Sequence, residues 1–157
     1  MVRRMLVWGL FVVLVLGAAF AAYVRLAPSD PATWQVDPIT VVPPTSPNYA
    51  LVRPGEGDDP VFAATPDALL SALNQIALAA PRVTPLAGSV DSGEITFVAR
   101  SALWGFPDYI SVKAVPAGDG AQLAIFSRSR FGHSDMGVNA ARITSWMDAL
   151  KAEIPTE

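Results

Sequence analysis

Arg128, Arg130, Asp135, Asn139 and Arg142 fall within one short stretch, SRSRFGHSDMGVN followed two residues later by Arg142-Ile143. These are residue types that hold anions. Arginine presents a planar fork of N–H donors to a carboxylate or phosphate. The first turn of a helix presents free backbone N–H groups to the same ligands. The alternation of the preceding strand puts Phe126, Arg128 and Arg130 on one face and Ile125, Ser127 and Ser129 on the other. Gly132 and Gly137 permit backbone angles that other residues resist. Ser134, Asp135 or Asn139 caps the helix that follows. Arg128, Arg130, Asp135, Asn139 and Arg142 are therefore the candidate ligand or anion site. The competing reading is architectural: Asp135 caps the helix and pairs with Arg130 or Arg142, locking the strand–helix junction. The two roles can coexist.

Other chemistries find less support. Ser129, His133 and Asp135 supply the types of a hydrolytic triad, and His133 is the sole histidine. A triad is a matter of geometry, and near neighbours on one loop rarely align as nucleophile, base and orienter. No catalytic residue is assigned, and the reading leans away from an enzyme. One histidine, no cysteine and scattered acids such as Asp58-Asp59 do not make a metal site. Asp58-Asp59 reads as a solvated loop. Gly55-Glu56-Gly57 has neither the spacing nor the strand–helix context of a phosphate loop. No cofactor is expected. Trp104 and Phe106 read as aromatic plugs of the core at a sheet end, with a hydrophobic pocket as the alternative.

The elements that position the junction can be read from periodicity. Thr65 as N-cap, Pro66 at the first position and Asp67 in the first turn open a helix. Leu69, Leu70, Leu73, Ile76, Ala77 and Ala80 continue it at helical spacing, and Pro81 ends it. The period then becomes alternating. Arg82–Ala87 is a weak strand broken by Pro85. Glu94–Ser101, Tyr109–Val115 and Ala121–Ser129 are the others, the last two joined by a hairpin loop over 116–120. Leu103–Pro107 is a connecting loop. Ile143, Trp146, Met147, Leu150 and Ile154 form the apolar stripe of a closing helix. The expected fold is two-layer α+β, with about four antiparallel strands flanked by an N-terminal and a C-terminal helix. Leu73, Phe97, Ile125 and Leu150 are expected in its core.

Ahead of this domain lie two segments of different character. Met5–Val24 carries no charge, follows Arg3-Arg4 and stops at Arg25. At 1.5 Å per residue it reaches about 30 Å, the hydrocarbon thickness of a bilayer. As an anchor it crosses once, with Arg3 and Arg4 inside as residues 1–4 of a cytoplasmic tip. The alternative is a signal peptide cleaved near Ala19-Phe20-Ala21. Either places the remainder in the cell envelope, the periplasm if the cell is bacterial. Residues 25–64 are proline-rich and expected as a semi-extended tether without regular strand or helix. Trp34, Tyr49 and Phe62 are expected to lie partly on the domain. Residues 65–157 form the exported domain.

Charge bounds the partners. The chain has 11 basic and 14 acidic residues. Without Arg3, Arg4 and Arg25 the outer part holds 8 against 14, or −6. That balance argues against nucleic acid and against a polybasic grip on anionic lipid. The absence of cysteine removes disulfides, thiol nucleophiles and thiolate metal sites.

The block Ser129-Arg130, Gly132, Asp135, Gly137-Val138-Asn139 and Arg142-Ile143 resembles the signature of the domain-of-unknown-function family 1499. The step Phe106-Pro107-Asp108 fits it as well. The resemblance covers roughly residues 65–150 and leaves Phe131 and His133 at variable positions. It implies a small envelope or plastid protein with an N-terminal membrane or transit segment, and no established activity. The expected function is therefore non-enzymatic binding of a ligand or partner at the membrane surface. An anionic small molecule or an envelope protein is the expected partner, beside the membrane itself. A small envelope hydrolase using the Ser129–Asp135 loop, and a structural envelope scaffold, are the alternatives.

Overall fold

The computed structural model describes residues 1–57 and 59–156, so Asp58 of the acidic pair and Glu157 lie outside the described residues. In chain order the elements are α1 (Val2–Leu26), α2 (Pro31–Trp34), β1 (Tyr49–Val52), α3 (Pro66–Ala79), β2 (Val83–Ser89), β3 (Glu94–Arg100), β4 (Pro107–Ala117), β5 (Gly120–Ser129) and α4 (Val138–Glu153). The fold is α+β, built on one antiparallel sheet of order β1-β5-β4-β3-β2.

The helix face of the sheet follows from alternation. Ile95 and Phe97 of β3 pair with Val112 and Ile110 of β4, and Val112 pairs with Ile125 of β5. α3 brings Leu69, Leu70, Leu73 and Ala77 to this face, and α4 brings Ile143, Trp146, Met147 and Leu150. Trp146 meets Phe97 edge-on at 5.8 Å. Leu73, Phe97, Ile125 and Leu150 are fully buried. The α3 cap is as expected: Thr65 Oγ1 accepts from Ala68 N at 3.3 Å, with Pro66 at the first position.

Five strands stand where about four were expected. The fifth, β1, comes from the proline-rich segment read as a tether without regular structure. It pairs with β5 from Tyr49↔Arg128 to Val52↔Ile125. The reason is local. Prolines end at Pro47 and resume at Pro54, so residues 48–53 keep every backbone N–H for a ladder. The preceding residues also have a fixed place. Asp30 caps the single turn of α2 by accepting from Ala32 N at 3.0 Å. Trp34 then stacks on Tyr109 of the sheet's other face, 3.9 Å between rings and 12° from parallel. Val36 N donates to Ser111 Oγ at 3.4 Å, and Lys113 pairs with Asp37 at 2.9 Å. Residues 28–42 thus form a strap over the second face, where Thr96, Val98, Tyr109, Ser111 and Phe126 are buried.

Other boundaries differ in small ways. Ala117↔Gly120 pairing leaves a tight turn of Gly118-Asp119 instead of a loop over 116–120. Pro85 sits on the edge strand β2 at a bulge, where a missing donor is tolerated.

α1 is long and apolar enough to cross a membrane, with a mean hydropathy of 2.5. Most of it is exposed, but its last turns rest on the domain. Val24 and Ala27 are buried, Phe20 packs on Phe106 at 6.2 Å, and Tyr23 on Phe131 at 6.1 Å. The register Arg100↔Pro107 and Asp108↔Ser129 places the β3–β4 loop and the β5–α4 junction at this same end of the sheet. The turns 90–93 and 118–119 lie at the opposite end.

Candidate functional site

The five candidate residues divide into two groups: Asp135, Asn139 and Arg142 meet on the helix side, and Arg128 and Arg130 lie on the strap side. β5 deals them to opposite faces, as its alternation requires. Ser127 and Ser129 face the helices, whereas Arg128 and Arg130 face the strap.

On the helix side the junction is a closed polar network. Asn139 is fully buried because it lies four residues before Ile143, on the stripe of α4 that faces the sheet. Its amide nitrogen donates to Asn48 O at 3.3 Å, Ser129 Oγ at 3.1 Å and Asp135 Oδ2 at 2.8 Å. Its amide oxygen accepts from Ser127 Oγ at 2.5 Å and Arg142 Nη1 at 2.8 Å. Asp135 closes the helix start. Its carboxylate accepts from Gly137 N at 3.1 Å and Asn139 N at 2.8 Å. Burial alone raises its pKa, but these N–H donors outweigh burial and hold the carboxyl below its usual value. Gly137 is the N-cap position itself, and Asp135, two residues before it, caps from outside by taking the first-turn N–H of Asn139; among the described residues Asp135 is in no ion pair. Among the described residues Arg142 pairs with Asp108 at 2.8 Å, and the two side chains keep 16% and 11% of their surface. Asp108 also accepts from Ser129 Oγ at 2.6 Å.

On the strap side, Arg128 lies over the rings of Trp34 and Phe126, 5.0 Å from each centroid. It donates to Thr33 O and Trp34 O at 3.4 Å. Burial lowers its pKa from the ordinary guanidinium value, and the Tyr109 hydroxyl acts the other way. Arg130 lies 5.5 Å over Trp34 and donates to Pro28 O at 2.7 Å. Both arginines therefore fasten residues 28–34 to the sheet. Among the described residues no buried side-chain N or O atom lacks a partner, so the network holds no orphaned group aimed at a ligand.

Trp34 lies on the domain as expected; the residues of this region that the sequence reading did not single out are Asp108 and Asn48. Asp108 enters the sequence reading only through the Phe106-Pro107-Asp108 step, although a carboxylate on an inward strand position signals a buried partner. Asn48 fixes the junction by donating to Gly132 O at 2.9 Å. Nothing in local pattern distinguishes it from a loop asparagine.

Beside the network is a concavity of about 280 Å³. Phe106, Phe131, Met136 and Val138 supply apolar lining, and Ser101, Asp108, Ser129, Ser134 and Asp135 polar lining. It borders the rings that meet Phe20 and Tyr23 at the end of α1. Of the two loop aromatics only Phe106 lines this pocket, 5.8 Å from Phe131 of the junction. Trp104 stays 44% exposed and is not a core plug. His133 is exposed and, among the described residues, bonds neither Ser129 nor Asp135. The Ser129 hydroxyl proton points to a carboxylate already engaged by Arg142.

Among curated proteins none matches the chain. A family model described as protein of unknown function (DUF1499) matches residues 27–150, starting where α1 ends and taking in the strap, the five strands, α3 and most of α4. The match spans most of the length and includes the strap, the sheet and the polar junction; the chain belongs to the DUF1499 family.

Proposed function

We propose that this is a membrane-anchored domain that binds, without catalysis, a small amphipathic ligand at the membrane surface. α1 is the anchor, Arg3 and Arg4 remain in the cytoplasm, and the α+β domain stands on the outer side, in the periplasm if the cell is bacterial. The observation that carries the reading is the concavity between the β3–β4 loop and the β5–α4 junction, directly beside the end of α1. Its volume lies just under the ~300–1,000 Å³ range of ligand pockets, which suits a small molecule or one end of a longer one.

The lining favours a particular ligand chemistry. Its charged groups are the carboxylates of Asp108 and Asp135, not the arginines. A head that donates hydrogen bonds, an ammonium or a hydroxyl, fits better than the anion expected from the arginine count. The apolar body then lies among Phe106, Phe131 and Val138. Ser129 contributes an acceptor; the carboxylate that takes its proton in a hydrogen bond, Asp108, is held in an ion pair by Arg142.

The test uses the full chain in lipid nanodiscs and follows thermal unfolding with decylamine, decanol and decanoate. The amine and the alcohol raise the melting temperature of the wild type, and decanoate does so less. Val138→Arg, at a half-exposed position on the rim, removes the amine response while the fold survives. Equal shifts in wild type and Val138→Arg, or a preference for decanoate, would overturn the assignment.

A further inference from the structure

A second concavity, about 450 Å³, lies on the other side of the β3–β4 loop and is lined by Arg25, Arg82 and Arg100 with Thr84, Ser101 and Gly105. It collects three arginines that the candidate list did not contain. Among the described residues none of the three is in an ion pair. Each instead commits a donor to a backbone carbonyl: Arg25 to Leu103 O at 2.8 Å, Arg82 to Arg100 O at 3.1 Å, and Arg100 to Gly105 O at 2.9 Å. A guanidinium has five N–H donors, so donors remain free at each.

Three further observations define the place. Arg25 directly follows the apolar run of α1, so a membrane-crossing α1 puts it at headgroup level. The loop is shaped to receive it: Gly105 has φ +74, and a Cβ there would meet Arg25 Cγ at 3.0 Å. Arg82 adopts φ 61, a left-handed conformation that side chains other than glycine rarely take, and such strain gathers at functional positions. In the same loop Leu103 is 73% and Trp104 44% exposed. A tryptophan and a leucine at this level suit the bilayer interface.

We propose that Arg25, Arg82 and Arg100 bind the phosphodiester of a membrane phospholipid headgroup, with Leu103 and Trp104 set among the adjoining lipid. The occupant is a phosphate ester held by guanidinium forks. The acidic balance of the outer domain does not oppose this, because a net count averages over a surface while screened attraction acts within about 8–10 Å. The site rests on the reading of α1 as a membrane anchor and is separate from the amine-favouring pocket. If the anchor reading fails, the full chain is recovered in the soluble fraction; if only the phosphate site fails, the chain still fractionates with membranes.

The test takes the full chain in a neutral detergent and follows thermal unfolding with three probes at matched concentration: dioctanoyl phosphatidylglycerol, dioctanoyl glycerol and inorganic phosphate. The phosphatidylglycerol raises the melting temperature, and the phosphate-free diacylglycerol does not. Inorganic phosphate acts more weakly, because it gains nothing from Leu103 and Trp104. Arg82→Gln/Arg100→Gln weakens the apparent affinity for phosphatidylglycerol by about ten-fold or more, the scale of one lost charge-assisted hydrogen bond. If loss of the Arg100–Gly105 bond unfolds the double variant, Arg82→Gln alone, at an exposed position, carries the same comparison with a smaller loss. An unchanged affinity in the variants overturns the proposal, as does an equal response to diacylglycerol. Inorganic phosphate matching the phospholipid would assign the site to a free anion and overturn the lipid.

Discussion

Asn139, Asp108 and Arg142 show how a polar cluster becomes architecture. Among the described residues no buried side-chain polar atom lacks a partner, and these residues hold β5, α4 and the loop at Asn48 in one geometry. Two kinds of loss follow. Asp135→Ala removes a helix cap and costs about 0.5–2 kcal/mol. Arg142→Met leaves the Asp108 carboxylate buried and uncompensated, and costs about 3–5 kcal/mol. Denaturant titration of both variants checks the order. The two also separate by pH. The Asp135 carboxyl is depressed in the fold, so its contribution is complete above the unfolded value of about 3.9 and disappears as pH falls through the lower folded value. The gap between wild type and Asp135→Ala therefore closes in acid below about pH 4. A gap that stays constant down to the acid transition would mean the carboxylate charge does not support the helix start.

The elements divide between those that form the core and the strap that completes it. Truncation of Leu73, Phe97, Ile125 or Leu150 to alanine costs about 2–5 kcal/mol, since each is fully buried between helix and sheet. Trp34 is different in kind. It links Tyr109, Arg128 and Arg130 in one stack, so Trp34→Ala loses the ring stacking and two cation–π contacts together. Each such contact is worth about 0.5–2 kcal/mol. Hydrogen exchange at residues 28–42 reads this directly. Faster exchange confined to the strap in Trp34→Ala, with β3 and β4 protected, is the expected pattern; unchanged exchange there would show that the strap holds without its tryptophan.

For the whole molecule the governing fact is polarity of arrangement. The pocket, the arginine concavity, the junction network and the end of α1 share one end of the sheet, while the hairpin turns occupy the other. A domain whose working end meets the membrane is the consequence of the proposed anchoring. A reporter enzyme fused after Glu157 is then active only in the exported compartment, because the Arg3-Arg4 charge bias holds the N-terminus inside. Activity on the cytoplasmic side would reverse the orientation and remove both proposed sites from the outer leaflet.

The sequence by itself determined what depends on local pattern. The apolar run of α1, the Thr65 cap, the alternation of β3 and β5 and the stripe of α4 are written in residue spacing, and each element formed where its period placed it. The faces of β5 were legible too: alternation already separated Arg128 and Arg130 from Ser127 and Ser129. Only the tertiary structure decided what each face meets. The stretch between prolines became an edge strand because β5 offered an unpaired ladder to Tyr49–Val52. The arginines near Asp135 turned to the strap because the far side of β5 is covered by Trp34, whose place depends on contacts some ninety residues away in the chain. Arg25, Arg82 and Arg100 have no common motif, and a sheet end brings them to one concavity. Charge counted along a chain cannot show that, because which charges are neighbours is set by how the strands return.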